Sequence, residues 1–303
     1  MRTTLFALVK RNTKLFFKDK GLFFTSLITP AILLVLYATF LGNVYYDSFM
    51  LSIPEGMEID KRIIDGCVGG QLISSILAVS CVTVAFCSNM LMVQDKANGA
   101  ILDLTVSPVR PYTLALGYYI ATLISTLTVC LAAMVLCLVY VAFLGFYLIL
   151  ADVLLLMLDV ILLVMFGTAL SSIINHFLST QGQISAVGTM VSSVYGFICG
   201  AYMPISQFGE GLRTVISLLP GTYGTSLVRN HSMRGALSAL QEAGLPSFAI
   251  EEIRDAIDCN LYFFDTKVGV GAMYAVLGIT VVILIGVYVL LNVMKEKKSA
   301  KSK

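Results

Sequence analysis

Two acidic residues that could do chemistry, Asp152 and Asp159, lie within one apolar stretch. Seven residues separate them, so both lie on one side of a helix, with Asp159 about 10 Å further along its axis. An ionised carboxylate at that depth in lipid costs several kcal/mol unless it is paired or hydrated. Asp159 is therefore a candidate for a substrate pathway or a proton site. The alternatives are a polar contact to Ser, Thr or Tyr on a neighbouring helix, or a protonated acid. Since no basic residue lies within an apolar span to pair with it, a proton relay is disfavoured.

The remaining reactive residues are few and scattered. Five of the seven cysteines lie inside apolar stretches, whereas Cys67 and Cys259 lie outside them and could pair in an oxidising exterior. His176 and His231 are too far apart for a histidine-rich metal site, so no metal is expected. No ATP-binding phosphate loop, zinc-protease motif or serine-nucleophile motif is present. The sequence therefore predicts no catalytic residue and no cofactor bound by this chain, and any energy must come from an ion gradient or a partner.

The elements that position these residues are apolar helices. Of 303 residues, 58% are hydrophobic and 13% are charged, which excludes a soluble enzyme and a disordered chain. The net charge of +2 is too small for a nucleic-acid-binding module. The sequence predicts a single all-α polytopic membrane domain over residues 1–303. Its six transmembrane helices are expected at about 22–41, 68–93, 112–138, 152–174, 183–203 and 268–293.

Orientation follows from the basic residues. Thirteen of the twenty Lys and Arg residues lie in the N-terminal segment, the 94–111 connection and the C-terminal tail. Under the positive-inside rule, both termini are expected in the cytoplasm, and 205–266 becomes a large external loop. Residues 1–20 have the pattern of an amphipathic helix in the inner interface, although a disordered basic leader is the alternative.

The predicted cytoplasmic connection 94–111 is too long for a tight turn. Its apolar residues Ile101, Leu102 and Leu104 lie along one side of a short helix that Asn98 could cap. An apolar side in the cytoplasm needs a cover, which is either a partner protein or the ends of the chain's own spans.

Two further patterns surround the predicted fifth span. Small residues recur at every fourth position, at Gly188, Ser192, Gly196 and Gly200, and such a side lets another helix approach closely, within one subunit or between two. After the span, Pro220 and Gly221 interrupt a moderately apolar stretch that includes Tyr223. This break suggests a re-entrant or interfacial hairpin, with an ordinary external loop as the alternative.

Together these residues resemble the ABC-2 type permease family, the membrane subunits of ATP-binding-cassette exporters. The resemblance rests on the basic N-terminal helix, the six-span order, the loop containing Gly99, Leu104 and Ser107–Arg110, and the stretch Leu219–Arg229. It departs from the family pattern at Gln94, where an acid is frequent, and in a longer external insertion at Arg234–Asp265.

The resemblance implies a homo- or heterodimer of permease subunits over separate cytoplasmic ATPase subunits, which would bind ATP and Mg²⁺. The 94–111 segment would be the coupling helix, and the small-residue side would be the dimer seam. The expected ATPase-coupling residues are Asp95, Gly99, Ile101, Leu104, Pro108 and Arg110.

The function expected from the sequence is outward transport of an amphipathic or apolar compound, such as a drug, peptide or lipid-like molecule. The expected location is the plasma membrane, of a bacterial cell. The alternative is a gradient-driven carrier or channel that uses Asp159. No inverted repeat that would favour this alternative is detectable.

Overall fold

The computed structural model describes residues 2–301 except 52, 54–56, 58, 107–108 and 265. The side chains of residues 2, 105 and 295–301 are not described. The elements in chain order are α1 (Arg2–Lys18), α2 (Lys20–Leu36), a π-helical turn (Tyr37–Leu41), α3 (Gly42–Leu51), α4 (Lys61–Ser88), α5 (Met90–Ala97), α6 (Ala100–Val106), α7 (Pro111–Leu144), α8 (Leu150–Phe177), α9 (Gln181–Ile198), a 3₁₀ turn (Ile205–Gln207), α10 (Glu210–Ser217), α11 (Pro220–Glu242), α12 (Ser247–Ala256), β1 (Leu261–Phe263), β2 (Thr266–Val268) and α13 (Val270–Lys301).

Polar caps and prolines mark where several helices begin. The Asp19 carboxylate accepts from the Leu22 amide at the start of α2, and Thr180 and Gln183 form a reciprocal capping box at the start of α9. Pro111 and Pro220 occupy the first positions of α7 and α11. A missing N–H costs nothing there, because the first amides of a helix have no intrahelical acceptor.

Helix α4 is the centre of the bundle. It packs against α2, α7, α8, α9 and α11, and its residues from Gly66 to Phe86 are buried without interruption. A helix that is apolar on all sides is stable only when other helices surround it. By contrast, α2 and α13 expose many large apolar side chains, including Ile32 and Val282, as expected of surfaces in contact with lipid or another subunit.

Five helical stretches are long and apolar enough to cross a membrane: Lys20–Leu51, Lys61–Ala97, Pro111–Leu144, Leu150–Phe177 and Val270–Met294. They overlap the predicted spans 22–41, 68–93, 112–138, 152–174 and 268–293. The fifth predicted span, 183–203, corresponds to α9, which is not among them. Its helix ends at Ile198, so Gly200 and Met203 lie in a turn rather than in a span. A crossing by α9 remains a prediction.

The segment 205–266, predicted as an external loop, contains helix α11, most of which is buried within the bundle. This helix packs between α4, α8 and α13. Two contacts show that it runs antiparallel to α8. Gly224 lies against Leu163 at one end, and Arg234 contacts Asp152 at the other. The shared length is about 16 Å at 1.5 Å per residue. The mean polarity of the α11 sequence concealed its burial, because its polar side chains find partners inside the bundle.

After α11, residues 243–269 form a small module of α12 and the antiparallel pair β1–β2, in which Leu261 faces Val268. Apolar residues of α12, including Ile250 and Ile253, pack with Cys67 of α4 and Leu237 of α11. The module therefore covers the end of the bundle at which α4 begins. It makes the fold largely, but not entirely, α-helical.

The contact between α11 and the α7–α8 turn leaves no room at Gly235. A Cβ there would lie 1.9 Å from the Tyr147 carbonyl oxygen. We expect Gly235→Ala to lower the free energy of unfolding in detergent by about 1–3 kcal/mol, the usual cost of overpacking. Gly182→Ala is the matched control, because no atom lies within 4 Å of its added Cβ. Equal thermal stabilities of the two variants would contradict this packing.

Candidate functional site

The carboxylate of Asp95 ties α5 to two other helices. Arg11 of α1 donates from both terminal nitrogens, to Oδ2 at 2.7 Å and to Oδ1 at 3.2 Å. Tyr118 of α7 donates its hydroxyl to Oδ2 at 2.6 Å. The hydrogen bond to Asp95 raises the pKa of the Arg11 guanidinium further above its usual value. A buried carboxylate with three donors holds its helix in one position.

Lys96 fastens α5 to the end of α8. Its ammonium group donates to the carbonyl oxygens of Asn175 and His176 at 2.8 Å and of Leu178 at 3.1 Å. The last carbonyls of a helix have no intrahelical donor and carry partial negative charge, so a cation there is favourable.

Asn89, at the junction of α4 and α5, makes a third attachment. Its side-chain amide donates to the hydroxyls of Ser171 and Ser172, both at 3.0 Å. Its backbone carbonyl accepts from the side-chain amide of Asn175 at 3.4 Å. Helix α5 is therefore held by α1, α7 and α8 at once. We call residues 90–106, comprising α5 and α6, the α5–α6 element.

Gly99 separates the two helices of this element. Its φ of +78° lies in the left-handed region that favours glycine, which lets the chain change direction between α5 and α6. The sequence predicted that Asn98 would cap the helix that follows it. In the structure Asn98 instead ends α5.

The two sides of α6 face different surroundings. Leu104 packs on a buried cluster that includes Met92, Tyr118 and Tyr288, whereas 65% of Leu102 and 87% of Val106 are exposed. Ile101 is half-buried. One apolar side of α6 thus lies on the chain's own spans, and another faces outward.

The other predicted coupling residues have different positions. Asp95, predicted as an ATPase-coupling residue, is buried and paired within the chain, so it positions α5. Arg110 precedes α7 and donates to the Tyr112 hydroxyl at 3.2 Å. Pro108 lies outside the described residues.

A buried arginine organises the other half of the molecule. Arg229 of α11 is fully buried and donates to the carbonyl oxygens of Ile257 (2.7 Å) and Gly200 (2.8 Å) and to Asp258 Oδ2 (3.3 Å). Its Nε lies 3.4 Å from the Ser74 hydroxyl of α4. Burial raises the pKa of the Asp258 carboxyl to about 6, although Arg229 opposes the shift.

Asp159 has a basic partner that sequence reasoning missed. Its Oδ2 lies 2.6 Å from Nδ1 of His231, and its Oδ1 accepts from the Tyr274 hydroxyl at 2.5 Å. No basic residue of a predicted span was expected to pair with Asp159, and His231 does so from α11, which was predicted to belong to the external loop. The sequence did contain one signal: His231 and Arg234 are three residues apart, which puts both basic side chains on one side of a helix. In the structure they pair with Asp159 and Asp152 of α8.

The predicted small-residue face divides into two parts. Gly188 and Ser192 line a groove of about 810 Å³ between α9 and α2. Gly196 instead leaves room for the Tyr202 ring, because a Cβ at Gly196 would lie 2.2 Å from that ring. Gly200, beyond the end of α9, has a φ of +73° and faces Ile205 of the same chain.

The predicted hairpin residues lie where α10 meets α11. Pro220 is the first residue of α11, and Gly221 permits close approach of the Tyr195 hydroxyl, which lies 2.6 Å from where a Cβ would be. Tyr223 donates its hydroxyl to the Ser217 carbonyl at 2.6 Å. These contacts tie the start of α11 to α9 and α10.

A family model described as ABC-2 type transporter matches residues 3–231, from α1 to the middle of α11. The chain belongs to the ABC-2 type transporter family. No curated protein matches significantly. Membership of the ABC-2 family makes this a multi-pass transport subunit that is not itself the ATPase. The match ends before the 243–269 module and α13.

Two further expectations concern cysteine and metal. Cys67 and Cys259 are free thiols in one buried cluster, and burial raises the pKa of Cys259 to about 12. Within the described residues, no group of three or more His, Cys, Asp or Glu side chains could hold a metal ion.

The Arg11–Asp95 contact predicts strong energetic coupling. In a double-mutant cycle of Arg11→Gln and Asp95→Asn, we expect a coupling free energy of about 1–3 kcal/mol in unfolding, because each single change removes one charge and the bidentate contact, and leaves the other charge without its counter-ion. Lys10→Gln is the control, since Lys10 is exposed, and it should combine additively with Asp95→Asn. Additive effects in the Arg11 cycle would refute the coupling.

Proposed function

We propose that this chain is the membrane-spanning subunit of an ATP-driven exporter. A separate ATPase subunit would bind ATP with Mg²⁺ and hydrolyse it. The observation that carries the proposal is the α5–α6 element, in which α6 exposes Leu102 and Val106 at the end of a firmly held α5. A protein partner that covers these side chains would remove apolar surface from water and gain a rigid attachment.

Force applied at α6 would reach the centre of the bundle through α5. Helix α5 follows α4 with only Asn89 between them, and Asn89 is bonded to α8. Helix α4 packs closely on α11, where a Cβ at Gly70 would lie 2.6 Å from the Ser232 carbonyl oxygen. A displacement of α6 would therefore be passed to α11 and would not be absorbed by a flexible loop.

A second permease subunit, identical or related, would cover the α2–α9 groove. The groove is lined by apolar residues of α2, such as Ile28 and Ile32, and by small or polar residues of α9, such as Gly188 and Ser192. This mixture supports both a seam between subunits and a pathway for an amphipathic or apolar compound, such as a drug, peptide or lipid-like molecule.

The proposed orientation puts α1, α6 and both termini in the cytoplasm, in the plasma membrane of a bacterial cell. The Arg11–Asp95 bond brings α1 and the α5–α6 element to the same end of the molecule. Lys10, Lys14 and Lys18 of α1 are exposed there, where anionic lipid headgroups of the inner leaflet would attract them.

A gradient-driven carrier is the second candidate, since Asp159 is a fully buried carboxylate bonded to His231 and Tyr274. This cluster joins α8, α11 and α13, so it also serves as an attachment for α11. Transport that continues without any ATPase, but stops with a proton uncoupler, would favour the carrier.

The docking proposal predicts the effect of a charge on the exposed side of α6. Val106→Asp should reduce retention of the ATPase subunit during co-purification about tenfold or more, because a carboxylate would have to be desolvated in the contact. Ser238→Asp is the control, as it adds the same charge at an exposed position of α11. Unchanged retention of the ATPase and unchanged ATP-dependent transport by Val106→Asp would contradict the proposal.

A further inference from the structure

A second cavity lies in the half of the molecule opposite α6. Its volume is about 640 Å³, and it opens between α10 and the 243–269 module. Of its thirteen lining residues, six come after residue 231, where the match to the ABC-2 family ends. The additional module therefore builds almost half of this cavity, which is separate from the α2–α9 groove.

The lining carries an excess of negative charge. Glu210, Asp255 and Asp258 are acidic, and Arg213 is basic. Arg229 does not line the cavity but is paired with Asp258. The three acidic and two basic side chains together carry a net charge of −1. In the described part of the chain, neither Glu210 nor Asp255 takes part in an ion pair.

Aromatic rings lie beside these carboxylates. Tyr223, Tyr262 and Phe264 line the cavity, and Tyr262 donates its hydroxyl to Asp255 Oδ1 at 3.0 Å. A carboxylate next to aromatic rings is suited to an organic cation, because the faces of the rings attract positive charge while their apolar surface holds the rest of the molecule.

The walls are held by buried polar contacts. Asp258 is 4% exposed, adopts a φ of +56°, and accepts from the Ile205 amide at 2.7 Å. Asn260 is also buried and donates to Asp255 Oδ1 at 2.6 Å. The negative group is thus positioned before a ligand arrives, which lowers the entropic cost of binding.

We propose that this cavity binds an amphipathic organic monocation, a compound that carries one ammonium-type charge on an aromatic body. Asp255 and Glu210 supply the charge, and Tyr262 and Tyr223 supply the aromatic contact. The volume suits a ligand of drug size. The site is independent of ATPase docking and adds to the proposed function.

The test is direct binding of ethidium, an aromatic monocation, to the purified chain in nanodiscs of zwitterionic lipid without any ATPase subunit. We expect Glu210→Gln and Asp255→Asn each to raise the Kd about tenfold. Glu252→Gln should leave the Kd unchanged, because Glu252 is exposed and does not line the cavity. An uncharged aromatic compound of similar size should not compete.

Glu210→Gln keeps the measurement independent of folding, since the Glu210 side chain is exposed. Equal Kd values for the wild-type chain, Glu210→Gln and Asp255→Asn would overturn the proposal, as would an equal loss of binding in Glu252→Gln. Because the assay contains no ATPase, a failed cation site and a failed docking proposal are distinguishable.

Discussion

The pairing of Asp95 with Arg11 and Tyr118 is the interaction on which the proposed coupling mechanism depends. A carboxylate buried at the junction of α1, α5 and α7 is stable only if donors replace water, and here three hydrogen bonds do so. The same requirement brings the Lys96 ammonium to the last carbonyls of α8. Each hydrogen bond that offsets the desolvation of one of these charges also fixes the position of α5. The same bonds therefore stabilise the charges and make α5 rigid.

The other half of the molecule follows the same rule. The buried Arg229 bonds to the turn after α9, to the end of α12 and to α4. Asp159 of α8 bonds to α11 and α13. Glycines allow the close packing that these bonds require, as at Gly70 and Gly235 of the α4 and α11 surfaces. Helix α11 is thus attached on several sides, and a displacement of α4 has a continuous route to it.

Hydropathy predicted most of the architecture, because long apolar runs have few stable alternatives in a bilayer. It did not predict the burial of α11, because the partners of Arg229 and His231 lie elsewhere in the chain. Spacing alone also could not assign the small residues: Gly188 faces a groove, whereas Gly196 faces Tyr202 of its own chain. For the α5–α6 element, the sequence located the segment but not the burial of Asp95, since its partners are distant in the chain.

Because Asp95 bonds α5 to Arg11 of α1, the proposed coupling mechanism requires α6 to move with α1 as one rigid body when ATP is bound. The most direct measurement is the distance between spin labels at Lys14 of α1 and Asp103 of α6, both exposed, in the assembled transporter. Dilution with unlabelled subunits restricts the signal to one chain. The account predicts the same mean distance and width with and without ATP. A shift or broadening on ATP addition, with the ATPase still attached, would contradict it.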